Sequence, residues 1–167
     1  MKNTKLIIKT KSKNYPIYFG NNILSNLGKL TKQNLPGTKK ICVICDSKLP
    51  KSIIAKLIKS LKKYDVKIFK IVANEKNKNV KIANKFIEKL LDNNFNRSDC
   101  LIAIGGGVVG DVSAFISNLT KRGIRFINIP TTLLAQVDAC IGGKTGVNTK
   151  QGKNLIGTFY QPDEVLI

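Results

Sequence analysis

Hydrophobic positions along this chain switch repeatedly between a short extended period and a helical one. Residues 6–10 and 15–19 read as two strands joined by a polar turn. Ile23, Leu24, Leu27 and Leu30 then recur at helical spacing. Pro36-Gly37 breaks the chain ahead of a strand at 40–45. Pro50 precedes a second helix, with Ile53, Ile54, Leu57, Ile58 and Leu61 on one face. Residues 66–72 form a further strand, and Ile82, Ala83, Phe86, Ile87, Leu90 and Leu91 mark a third helix. An apolar strand at 100–104, a glycine turn and an amphipathic helix opened by Asp111 come next. Residues 124–129 are a strand ended by Pro130, and 133–140 are a short apolar helix stopped by Gly142-Gly143. Strands alternating with helices predict an α/β fold: a Rossmann-like parallel sheet flanked by helices, preceded by a β-hairpin. Residues 1–167 read as one domain without a linker or repeat. They stop at Val165-Leu166-Ile167, inside a predicted strand, so a piece of a longer protein is expected.

The glycine turn carries the chemistry. Gly105-Gly106-Gly107-Val108-Val109-Gly110 follows a strand and leads into a helix. Glycines let the backbone turn sharply and approach a ligand closely. A helix start offers free N–H groups and the positive end of a dipole, a natural seat for phosphate. The G-x-G-x-x-G spacing alone is a weak dinucleotide signal. The acid that normally follows such a motif is missing, for Pro130-Thr131-Thr132 stands there. Asp46, upstream at the end of the strand 40–45, offers a carboxylate for ribose hydroxyls, or a turn cap.

A second constellation lies downstream. Thr131 and Thr132 end a strand at the same sheet edge, and Asp138 interrupts an apolar stretch. Gly142-Gly143-Lys144-Thr145-Gly146-Val147-Asn148 is a glycine-rich loop, and Gly152-Lys153-Asn154 adds a cation and an amide. The first of these is not a phosphate-binding Walker loop, which needs glycine at Asp138. Lysines between glycines, with one aspartate, suit a polyoxygenated, phosphorylated guest.

Composition narrows the picture. The formal charge is +19, from 29 basic and 10 acidic residues, yet arginine occurs only at 97, 122 and 125. The lysines are spread through helices and loops, so the excess reads as a compositional bias with a field that attracts anions, and no nucleic-acid partner is expected. No apolar run nears the roughly 18 residues of a membrane span. The start Met1-Lys2-Asn3-Thr4-Lys5 leads only into Leu6-Ile7-Ile8, too short for a signal peptide, so a soluble cytoplasmic protein without membrane contact is expected. Cys42 and Cys45 sit three apart in a buried strand and point to opposite faces, as core residues rather than a metal or redox pair. There is no histidine, so a His-based metal site or general base is excluded within the chain.

Several segments together resemble the 3-dehydroquinate synthase family. They are Gly105 through Asp111; Lys121-Arg122-Gly123; Pro130-Thr131-Thr132-Leu133-Leu134-Ala135-Gln136-Val137-Asp138-Ala139; Gly142 through Asn148; and Gly152-Lys153-Asn154-Leu155-Ile156-Gly157-Thr158-Phe159-Tyr160-Gln161-Pro162. Tyr15-Pro16-Ile17 and Asn74-Glu75-x-x-Lys78 fit earlier family landmarks more loosely. The resemblance covers the whole chain but only the N-terminal, NAD-binding half of the family's enzymes.

That resemblance implies NAD-dependent cyclisation of a phosphorylated seven-carbon keto-acid to 3-dehydroquinate with loss of phosphate, a lyase step of the shikimate pathway. It implies a divalent metal, zinc or cobalt, held by a glutamate and two histidines of a helical C-terminal domain absent here. It places the NAD site at Asp46, Ala73, Asn74, Glu75, Lys76, Asn77, Lys78, Gly107, Val108, Val109, Gly110, Asp111, Thr131, Thr132, Lys144 and Lys153. Asp138, Lys144 and Asn154 would face the substrate, and Arg122 its phosphate, from the neighbouring subunit of a homodimer. Family positions differ at Lys48, Thr149 and Asn74, which usually carry asparagine, histidine and glycine. Another sugar-phosphate cyclase, or a non-catalytic NAD-binding module, remains the alternative, and without the metal half this chain is expected to be inactive.

Overall fold

In the computed structural model, which describes residues 4–167, β1 (Thr4–Ile8) and β2 (Tyr15–Phe19) pair antiparallel as the expected hairpin. The lead Met1-Lys2-Asn3, part of the start judged too short for a signal peptide, lies outside the described residues. Beyond the hairpin come α1 (Ile23–Asn34), β3 (Lys40–Asp46), α2 (Lys51–Ser60), β4 (Asp65–Ile71), α3 (Val80–Asp92), β5 (Cys100–Gly105), α4 (Gly107–Leu119) and β6 (Arg125–Pro130). Then follow β7 (Lys144–Val147), β8 (Ile156–Phe159) and β9 (Glu164–Leu166). The main sheet has the order β1-β2-β9-β6-β5-β3-β4, and every pairing after the hairpin is parallel. The terminal strand β9 is an interior one, slotted between β2 and β6.

A strand covered on both faces reads as a continuous apolar run, and β5 is buried at every position. Leu101 and Ala103 join the core under α3 and α4, while Cys100, Ile102 and Ile104 join the core under α1 and α2. Cys42 and Cys45 divide the same way between the two cores, as residues three apart on a strand must. All four cysteines are free and buried, and burial raises the Cys42 and Cys100 thiols well above their usual range.

Two expectations are corrected. The helix after the glycines begins at Gly107, four residues before Asp111, with Gly106 as its cap. Gly107 and Gly110 are therefore helical residues, and Asp111 sits in the second turn. The stretch 142–148 is only partly a loop: Lys144–Val147 pairs antiparallel with Ile156–Phe159. The apolar stretch 133–140 is helical as expected, as a π-helical turn at Ala135–Ala139, with Leu133, Leu134 and Val137 exposed.

The topology fixes where a ligand would go. β3 leads to β4 through α2 on one face; β5 leads to β6 through α4 on the other. The winding direction reverses between β3 and β5, and a crevice opens outside the C-terminal ends of such strands.

Candidate functional site

Strand register brings the predicted residues to that crevice. Cys45 pairs with Ile104, and Gly105 with Pro130, so Asp46, Gly106 and Thr131 leave the sheet side by side. Asp46 is half-buried, and its Oδ1 accepts the Lys48 N–H at 3.0 Å. It does cap a turn, through Oδ1. Thr131 N–H donates to the Gly105 carbonyl at 2.9 Å, and Thr132 Oγ1 accepts the Ala135 N–H at 3.3 Å.

The glycines divide by role. A Cβ on Gly105 would meet Val109 Cγ2 at 2.6 Å, so helix-on-strand packing demands glycine there. A Cβ on Gly107 would find only Ala139 Cβ, at an ordinary 3.5 Å. Packing does not require glycine at 107; its missing side chain leaves the first turn of α4 open to close approach. The N–H groups of that turn have no intrahelical acceptor, which makes it an anion seat. Val108 is half-buried beside it, while Val109 and Gly110 are buried in the helix–sheet contact.

The segment after β4 frames the other side. Asn74 caps a short 3-10 turn, Glu75–Asn77, by accepting the Asn77 N–H at 2.9 Å. Asn77 Nδ2 donates to the Val72 carbonyl at 2.9 Å, and Ala73 packs against the core under α3 and α4. Lys76 is exposed. Lys78 is buried, and its Nζ donates to Asp111 Oδ2 at 2.5 Å. Burial raises the Asp111 carboxyl above its ordinary value, while the Lys78 ammonium opposes the rise. The pair fastens the 3-10 segment to α4.

A cleft of about 460 Å³ opens beside this pair, and Asp111, Asp138, Lys144, Asn154, Thr158 and Phe159 are among its lining. It gathers three of the four residues expected to face a substrate. Neither Asp138 nor Lys144 is in an ion pair among the described residues. Phe159, in the lining, is 78% exposed, and Leu133, Leu134, Val137 and Leu155 elsewhere on the surface are each more than half exposed. Lys153 stands 4.0 Å from Glu75 Oε2, close to the 3-10 turn.

Arg122 is not brought to this cleft. It lies past the C-terminal end of α4, roughly 20 Å along the helix from Gly107. It is exposed, with Lys121, Arg122 and Gly123 at φ 53°, 62° and 111° in succession. Among the described residues no group of three His, Cys, Asp or Glu side chains converges as a metal site.

Sequence reasoning missed Asn148 as a side chain with a task of its own. Its Nδ2 donates to Glu75 Oε2 at 2.8 Å, and its Oδ1 accepts the Asn154 N–H at 3.0 Å. The one available signal was its place at the end of a glycine-rich run, which says nothing of a partner 73 residues away.

Residues 68–167 match the family described as 3-dehydroquinate synthase N-terminal. The chain is 52% identical over 162 residues to 3-dehydroquinate synthase of Pelagibacter ubique strain HTCC1062, covering 97% of this chain and 44% of that protein. It is 42% identical over 164 residues to 3-dehydroquinate synthase of Thermoanaerobacter sp. strain X514, covering 97% of this chain and 46% of that one. The structure of a 2-deoxy-scyllo-inosose synthase complexed with carbaglucose-6-phosphate, NAD+ and Co2+ superposes with a TM-score of 0.90 at 28% identity, over 98% of this chain and 44% of that one. The chain thus spans less than half the length of the relatives it matches. With the crevice at the reversal of the sheet, the open first turn of α4 and the Asp138–Lys144–Asn154 cleft, these matches agree on one conclusion: the chain belongs to the 3-dehydroquinate synthase family, in its N-terminal region.

Proposed function

We propose that this chain is the coenzyme-binding half of a 3-dehydroquinate synthase, a carbon–oxygen lyase that cyclises 3-deoxy-D-arabino-heptulosonate 7-phosphate with loss of phosphate. The observation that carries the reading is the meeting of two sites at one sheet edge: the open first turn of α4 at Gly107, and the cleft holding Asp138, Lys144 and Asn154.

The residues present fit NAD. The Asp46 carboxylate takes ribose hydroxyls and repels a 2′-phosphate. The N–H groups at Gly107, Val108 and Val109 seat the pyrophosphate. Glu75, Lys78, Thr131, Thr132 and Lys153 border the remainder. When bound, the nicotinamide supplies a transient oxidation by accepting a hydride and returning it. The chain's own groups orient the substrate. The Lys144 ammonium neutralises an anionic group, the Asn154 carboxamide binds hydroxyls, and Asp138 holds or accepts a proton at a hydroxyl oxygen. Their work is positioning, and well-oriented reactants lose much of the entropic barrier.

A metal does not fit the residues present, for the chain has no histidine and the described residues hold no cluster of ligands. No step is routed through one here. In this reading the zinc or cobalt ligands belong to the further half of the enzyme, and that half covers the exposed Phe159 of the cleft. Arg122 then reaches the substrate phosphate of a neighbouring subunit in a homodimer, which accords with its distance from its own cleft. The protein works in the cytoplasm without nucleic-acid or membrane partners; among the described residues no helix is long and apolar enough to cross a membrane.

The test is turnover. The 167-residue chain with NAD and zinc forms no dehydroquinate, and adding the remaining half of a close relative restores turnover. Turnover by the purified chain alone contradicts the division of labour. Selective turnover of an aldohexose phosphate by the reconstituted pair assigns it to another cyclase instead.

A further inference from the structure

We propose that Asn148 is the positioning residue that couples the coenzyme side of this site to its substrate side. The inference rests on the reading of Glu75–Lys78 as coenzyme-facing and of Asn154 as substrate-facing.

Asn148 follows the last residue of β7, whose Val147 is fully buried, so its backbone is held by a rigid element. Its N–H donates to the Lys78 carbonyl at 2.7 Å. Its carboxamide works at both ends. Nδ2 donates to Glu75 Oε2 at 2.8 Å and to the Glu75 carbonyl at 3.1 Å. Oδ1 accepts the Asn154 N–H at 3.0 Å. Asn154 sits at φ 56°, left-handed backbone that a non-glycine residue holds only when its surroundings impose it. The bond from Asn154 to Asn148 is such an imposition.

Two further contacts extend the joint. Lys153 approaches the same Glu75 oxygen, and Lys78 carries the pairing to Asp111, which lines the cleft. One residue therefore ties residues 75 and 78 to residue 154: its backbone N–H holds Lys78, and its carboxamide holds Glu75 and Asn154. A shift of the 3-10 turn on coenzyme binding moves Asn154, and the reverse holds equally, since coupling between sites is reciprocal.

The chemistry restricts what replaces it. A carboxamide of this length offers one donor group and one acceptor. Aspartate keeps the acceptor for Asn154 but sets a second carboxylate against Glu75, and two such groups close together share a proton at low pH. Alanine keeps neither bond.

The experiment is calorimetric titration of the chain and its N148D and N148A variants with NAD from pH 5 to 8.5, with amide exchange at Asn154 followed by NMR. At pH 8, N148D binds NAD roughly tenfold more weakly or worse, the loss of a hydrogen bond to a charged group. Its affinity recovers as the pH falls towards 5, a gain that the unsubstituted chain and N148A do not show. The Asn154 N–H stays protected in N148D and exchanges freely in N148A. A merely structural role produces no acid recovery. N148D binding within twofold of the unsubstituted chain at pH 8, or lacking acid recovery, overturns the role of Asn148 alone. Failure of the unsubstituted chain to bind NAD overturns the coenzyme reading and this role together.

Discussion

Lys78 and Asp111, 33 residues apart, meet at 2.5 Å with side-chain exposures of only 6% and 19%. The contact joins the segment after β4 to the second turn of α4, and so sets two walls of the crevice relative to each other. Breaking a buried pair from one side leaves an uncompensated charge, at a cost of about 3–5 kcal/mol. K78M should therefore lose about 3 kcal/mol of stability in urea denaturation. Without the ammonium, burial raises the Asp111 carboxyl further. A raised carboxyl stabilises the fold at low pH and ceases to as the pH rises through its folded value. The deficit of K78M should accordingly be larger at pH 8 than at pH 5. An equal deficit at both contradicts the assignment.

Glu164 poses a second test of pH dependence. It is fully buried in β9, and neither carboxylate oxygen has a hydrogen-bond partner. Burial pushes its carboxyl from the ordinary 4.5 up to about 7, and the nearby Asn34 amide opposes this only in part. With the folded value raised, its contribution is present in full below about pH 4.5, declines as the pH rises through about 7, and is gone above. The loss is on the order of 3 kcal/mol. E164Q removes the titrating group. Thermal unfolding should show the parent losing stability between pH 5 and 9 while the variant stays level; parallel profiles would rule this out.

Gly105 and Gly107 separate packing from ligand approach. G105A drives a methyl into Val109 and should cost about 1–3 kcal/mol by overpacking. A Cβ at 107 meets only Ala139 Cβ, at 3.5 Å, so in G107V the circular dichroism spectrum and melting temperature should stay near those of the parent while NAD binding is lost. Unchanged NAD binding in G107V would make the turn a structural feature only.

The strand and helix periods were legible because most elements bury one definite face. β3 and β5 read as continuous apolar runs and proved to be central strands. The β7–β8 hairpin was not legible, because Gly146 stands opposite Gly157 and the two backbones approach too closely for a side chain on Gly157. In sequence those glycines look like loop. The helix at 133–140 was legible as a helix but not as surface. Its spacing alone does not tell a buried face from an exposed one, and Leu133, Leu134 and Val137 are exposed among the described residues. The family motifs pointed to Asp138, Lys144 and Asn154, which the fold brings to one cleft, whereas Asn148 escaped because its partners are set by topology rather than by spacing.

Arg122 keeps left-handed backbone, with φ 62°, that glycine would adopt without strain. R122G should raise stability by about 1 kcal/mol, while in the reconstituted enzyme it should raise the KM for the phosphorylated substrate at least tenfold. A gain in stability with unchanged KM would show that the arginine has no phosphate to hold.

The central claim is that the crevice between β3 and β5 is an NAD site selected by Asp46. Calorimetric titration of the chain with NAD and with NADP tests it most directly. The account predicts saturable NAD binding that is at least tenfold tighter than NADP, with the preference collapsing in D46A as the 2′-phosphate meets no carboxylate. Tighter binding of NADP, or an NAD preference untouched by D46A, would contradict it.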